Sequence, residues 1–225
     1  MSIRLEQIVQ TLLTRSSQLS DEEKGKLYKI IVIGNTLIDL WQYLALKHAQ
    51  GNSEILKQVL DEIFNDLHIS VSLAMGGQYK AASVLFRTFT ESVLYQLYFI
   101  DHPVELHIWA NTSERGKADM NFNSILEIIT QDYYMYAASK RIADKDKLDK
   151  IKQVISDNYR ILSEKAHGKY AFLQSTYSGN NQMIDSYASI AYKSIKSFID
   201  LGSSRCNDLE EGKKSIPALE RIIYE

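Results

Sequence analysis

The stretch Tyr79-Lys80-Ala81-Ala82-Ser83-Val84-Leu85-Phe86-Arg87-Thr88-Phe89-Thr90-Glu91-Ser92-Val93-Leu94-Tyr95-Gln96-Leu97-Tyr98-Phe99-Ile100 decides the fold. At about 100° per residue, Ala82, Phe86, Phe89, Val93, Leu97 and Ile100 fill one side of a helix. Val84, Leu94, Tyr95 and Tyr98 fill much of the other. A helix that is apolar on both sides belongs in the interior of its fold. The expectation is an all-α protein, a bundle of about seven to nine helices wrapped around residues 79–100.

The flanking sequence supports this. Ser20-Asp21-Glu22-Glu23 reads as a capping box, Ser at the cap and Glu three residues on. It opens a helix predicted to reach His48, where Gln50-Gly51-Asn52 ends it, and Ile3, Leu5, Ile8, Leu12 and Leu13 mark a helix before it. Ser53 starts a third, stopped by Gly76-Gly77. After residue 100, Asp101-His102-Pro103 halts the central helix and Pro103 to about Trp109 forms a short one. Residues 111–122 are polar and non-periodic, a predicted loop. Helices resume over 123–138, 144–166 and 181–201, followed by a polar tail at 202–214 and an amphipathic turn near 218–224. In the helix over 144–166, Leu148, Ile151, Ile155, Tyr159, Leu162 and Ala166 share a core-facing stripe.

Composition excludes several classes. The 225 residues include only two prolines and ten glycines, which suits long helices better than a turn-rich sheet. No linker or repeat divides the chain, so a single domain over 1–225 is expected. A net charge of −2 gives no global argument for nucleic acid or membrane, so any such surface must be local. The one cysteine, Cys206, favours a reducing compartment, and the most apolar stretch, Ile30 to Leu46, is interrupted by Asn35, Asp39 and Gln42. The expectation is a cytoplasmic protein without a membrane span. Nothing in the sequence calls for a cofactor or a bound metal.

Two groups of residues carry chemistry. Arg87 and Glu91 lie four apart on the central helix, among Val84, Leu94 and Tyr98. Their plain reading is a buried ion pair that fixes helix register; their functional reading is a polar wall in which Arg87 binds an anion such as phosphate. If the pair is buried, Glu91→Ala should cost about 3 kcal/mol or more. The second group is Arg160, Ser163, Glu164 and His167. Arg160, Glu164 and His167 stand at i, i+4 and i+7, one polar stripe beside the core face. His167, ahead of Gly168, falls at the helix C-terminus, which favours an imidazolium. The plain reading is a capping histidine beside a surface salt bridge.

Arg160 and His167, six residues intervening near a helix end, resemble the R-x(4–6)-H motif of the HEPN superfamily. The wider pattern is similar to uncharacterised bacterial helical proteins of that neighbourhood: Gly77-Gln78-Tyr79-Lys80-Ala81-Ala82, then Arg87-x-x-x-Glu91, then Leu162-Ser163-x-x-x-His167. The resemblance implies an all-helical homodimer and a metal-independent ribonuclease. Arg160 would bind the scissile phosphate and His167 would act as general acid or base for attack by the 2′-hydroxyl. Ser163 and Glu164 would orient the histidine. Partners so implied are RNA and a protein such as an antitoxin or a subunit of a defence complex. Two positions depart from the pattern: Ile161 follows the arginine where active members often carry a polar residue, and Tyr170 lies three residues after the histidine rather than two.

Other signals are weaker. His102, Glu105 and His107 lack the i, i+4 pairing of a helical zinc motif. Tyr133, Tyr134 and Tyr136 suit packing at a core boundary better than base stacking, since no basic residues interleave with them. Lys145, Lys147, Lys150 and Lys152 alternate with Asp144, Asp146 and Asp149, as on a solvated helix face. Two classes of function follow: a HEPN-like ribonuclease or RNA-binding protein, and a non-catalytic interaction or dimerisation module in which Arg87, Glu91, Arg160 and His167 form a structural polar cluster.

Overall fold

The computed structural model describes residue 10 and residues 13–48, 53–112, 120–139, 144–167, 180–205 and 216, and they are all-α with no strand among them. The helices with defined bounds are α1 (Asp21–His48), α2 (Ser53–Met75), α3 (Tyr79–Phe99), α4 (Pro103–Asn111), α5 (Phe122–Ile129), α6 (Asp132–Ser139), α7 (Lys145–Ala166) and α8 (Asn180–Ser204). Residues 13–18 are helical as well. The rest of the predicted first helix, Tyr170, most of the loop over 111–122 and most of the C-terminal tail lie outside the described residues.

Local chemistry sets the helix ends. At α1 the capping box forms: Ser20 N–H donates to Glu23 Oε2 (2.8 Å) and Glu23 N–H donates to Ser20 Oγ (3.2 Å). Asn121 caps α5 and Asp144 caps α7, each accepting a backbone N–H from three residues on. Between α2 and α3 the chain turns at Gly77, whose φ of 75° suits glycine.

The five long helices form a closed ring, α1–α2–α3–α7–α8, with α3 and α8 also touching across it. Lys26 meets Asp185 near the start of α1 and α8, and Trp41 meets Phe198 toward their ends, so these two run parallel. Phe86 against Tyr187, and Arg205 bonded to the Leu97 carbonyl, make α3 parallel to α8. Ser70 Oγ donates to the Ala82 carbonyl and Gln96 Nε2 to the Leu56 carbonyl, which makes α2 antiparallel to α3. Lys165 donates to Ser186, so α7 is antiparallel to α8. The starts of α1, α3 and α8 therefore gather at the same end of the bundle as the ends of α2 and α7.

α3 is the hub, packing on α2, α7, α8, α5 and α4. Its C-terminal half has no exposed residue; its N-terminal half leaves Lys80, Ala81, Val84 and Thr88 in solvent. Val84, read as part of the second apolar side, is 39% exposed because α4 and α5 cover only the far half. The core joins Leu37, Trp41, Phe86, Phe89, Phe198 and Ile155 into one cluster.

Two boundaries differ from the sequence reading. The helix expected over 123–138 is broken into α5 and α6. Thr130 turns its hydroxyl back onto the Leu126 carbonyl (2.6 Å) at a non-helical position, and Asp132 accepts the Tyr133 N–H, competing with the continuing helix. At the other end α8 runs to Ser204, past the expected stop at Leu201. Gly202 is buried against Trp41 and Arg205 is 4% exposed, so the start of the expected polar tail belongs to the core.

Candidate functional site

Arg160 and His167 stand on the outer side of α7. Arg160 is 63% exposed and its guanidinium reaches Glu164 (3.4 Å) and Asp157 (3.8 Å), both through long surface contacts. His167 is the exposed C-cap residue of α7, and its N–H donates to the Ser163 carbonyl (3.0 Å). Ser163 and Glu164 lie half-buried between them. Seven residues of helix separate the pair by two turns, about 10 Å, on one face.

Arg87 and Glu91 form a second set, held to Tyr159 rather than to Arg160. Arg87 Nη2 donates to Glu91 Oε1 (2.7 Å) and to the Tyr159 hydroxyl (2.8 Å), and that hydroxyl donates to the same Glu91 oxygen (2.5 Å). Arg87 also lies over the Tyr159 ring, on which Phe122 of α5 stacks at 3.8 Å. Burial, and then the Glu91 carboxylate, push the Tyr159 phenol above its usual pKa, so it keeps the proton it donates. The Arg87 and Glu91 side chains are 29% and 23% exposed, so the expected buried pair is a half-buried one. Its location explains this: the N-terminal half of α3 has solvent along one edge. Tyr159, read from sequence as a core stripe position, is the joint that ties α3, α5 and α7 together.

The sequence reading missed two other polar groups. Lys165, in the last turn of α7, is buried and donates to Ser186 Oγ (3.1 Å); burial lowers its pKa to about 8. At the opposite end of the bundle, Arg205 donates to the Leu97 carbonyl (2.9 Å) and pairs with Asp101, which also accepts from the Tyr134 hydroxyl (2.6 Å). His102 beside them donates its Nδ1–H to the Tyr98 carbonyl (2.8 Å) and stacks on the Tyr98 ring at 3.7 Å. In sequence Asp101 reads only as part of a helix stop and Arg205 as tail, because nothing local links positions 104 residues apart. Among the three tyrosines of α6, Tyr134 packs inward while Tyr133 and Tyr136 are exposed.

Among the described residues no three His, Cys, Asp or Glu side chains converge to hold a metal ion. No described helix is long and apolar enough to cross a membrane. No family model, curated protein or solved structure matches the chain.

Proposed function

We propose that this protein is a HEPN-like RNA-binding protein and metal-independent endoribonuclease, acting as a homodimer in a bacterial defence or toxin–antitoxin system. One observation carries the proposal: Arg160 and His167 share the solvent-facing side of α7, clear of the Arg87–Glu91–Tyr159 joint. An arginine held only by surface carboxylates can exchange them for a phosphate at little cost, since such pairs are worth about 0–1 kcal/mol. Arg160 then stabilises charge on the phosphate oxygens, and His167 takes the proton of the attacking 2′-hydroxyl or returns one to the leaving 5′-oxygen. Two-fold pairing of subunits sets two such stripes on one cleft and supplies both an acid and a base. An antitoxin or another subunit of the complex is the expected protein partner. RNA cleavage in the presence of chelator, lost in Arg160→Ala and His167→Ala, is the test.

The second reading, a non-catalytic interaction module, draws on exposed apolar side chains, chiefly Leu46, Val104 and Tyr133. It predicts a protein ligand and no RNA cleavage by any variant.

A further inference from the structure

The segment Gly77-Gln78-Tyr79 is part of the wider pattern singled out in the sequence, yet the proposed cleavage site does not use it. Between it and residues 15–23 lies a cavity of about 200 Å³. Leu19 and Met75 supply apolar wall; Arg15, Glu23, Gly77 and Tyr79 supply polar groups. This end of the bundle also carries His167, because α3 begins where α7 ends.

The cavity is built for a ligand in three respects. Gly77 lets Arg15 lie over the turn: a Cβ there would stand 2.5 Å from Arg15 Nη1, which donates to the Gly77 carbonyl over a long 3.4 Å. Tyr79 is 7% exposed, and its hydroxyl, which keeps access to solvent, has no hydrogen-bond partner among the described residues. Tyr79 lines the cavity together with Arg15 and Glu23, one charge of each sign. Finally, the first residue of α3, Tyr79, lines the cavity, and the helix starts there without a side-chain cap.

We propose that this cavity binds a protonated phosphate group, either free phosphate or the terminal phosphate of an RNA chain. Arg15 and Tyr79 donate to its oxygens. Glu23 discriminates: Oε2 is held by Ser20 N–H and Oγ–H, and the carboxylate's remaining lone pairs accept the P–OH proton. Sulfate carries no proton near neutrality and meets that carboxylate with repulsion. The site does not rest on Arg160 or His167 and stands even if the protein cleaves no RNA.

The test is calorimetric titration of the full chain with inorganic phosphate, with sulfate, and with a short oligoribonucleotide bearing either a 5′-phosphate or a 5′-hydroxyl. Saturable phosphate binding is expected, weakened about tenfold or more by Arg15→Gln and about three- to tenfold by Tyr79→Phe. Arg15 is exposed and Tyr79→Phe removes a single oxygen, so both variants should fold, as circular dichroism would verify. Arg15-dependent binding of the phosphorylated oligonucleotide but not of free phosphate would make an RNA end the source; the reverse would make it free phosphate. Absence of Arg15-dependent binding to both overturns the proposal. Sulfate binding as tight as phosphate overturns the role given to Glu23, whose Gln variant should otherwise admit sulfate.

Discussion

The Tyr159 hydroxyl lies 2.8 Å from Nη2 of Arg87, across the seam between α3 and α7. It makes the Arg87–Glu91 pair a three-helix joint, because Phe122 brings α5 onto the same ring. Tyr159→Phe keeps the stacking and loses both hydroxyl bonds, so it should cost about 1–2 kcal/mol. Glu91→Ala leaves Arg87 and Tyr159 without their acceptor, but water reaches this edge; a cost of about 1–3 kcal/mol is expected rather than that of a sealed pair. Urea denaturation of both variants measures these values.

Arg205 is more deeply buried than Arg87: its side chain is 4% exposed, against 29%. Arg205→Ala unpairs the partly exposed Asp101 carboxylate and takes the side-chain donor from the Leu97 carbonyl where α3 and α8 end, and should cost about 1–3 kcal/mol. Arg160→Ala, at the exposed pair, should cost under about 1 kcal/mol. Thermal unfolding of the two variants side by side tests whether burial accounts for the difference.

Lys165 predicts a pH dependence. Its pKa in the folded chain is about 8, below the ordinary lysine value of 10.5. Between those values the unfolded chain holds the proton and the folded chain does not, so stability rises with pH across that window. Below pH 8 both states are protonated, and the cost of burying the cation is present in full, at most about 3 kcal/mol. Lys165→Met should raise stability at pH 7 and flatten this slope, as denaturant midpoints at pH 7 and pH 10 would report.

Gly202 fixes how closely α8 approaches α1. A methyl group there would lie 2.5 Å from the Trp41 ring, so Gly202→Ala should destabilise by about 1–3 kcal/mol despite its better helix propensity. A raised melting temperature in this variant would contradict the packing.

Periodicity and caps made much of this fold readable. The Ser20–Glu23 box, the Gly77 turn, the all-α class and the hub helix follow from rules acting within a few residues. What was not readable depends on neighbours distant in sequence. A helical wheel places Tyr159 on the core stripe without saying that Arg87 and Glu91 stand opposite. Asn158 and Lys165 flank that stripe and are buried, and the Ser186 hydroxyl of α8 that meets Lys165 is not encoded in the α7 sequence. Gly202 and Arg205 read as tail because small and charged residues usually end helices; the indole of Trp41 and the carboxylate of Asp101 give them core roles instead. The stripe of exposed Arg160 and His167 with half-buried Glu164 was readable because its members lie within two turns of one helix.

The activity proposed for Arg160 and His167 is RNA cleavage without metal. The most direct measurement is cleavage of varied RNAs in chelator by the wild-type chain and by folded Arg160→Ala and His167→Ala variants. Wild-type cleavage that leaves 2′,3′-cyclic phosphate ends, and falls by about 10²-fold or more in each variant, is the predicted result. Full cleavage by either variant, or none by wild type while a protein ligand binds the exposed faces of α4 and α6, would contradict it.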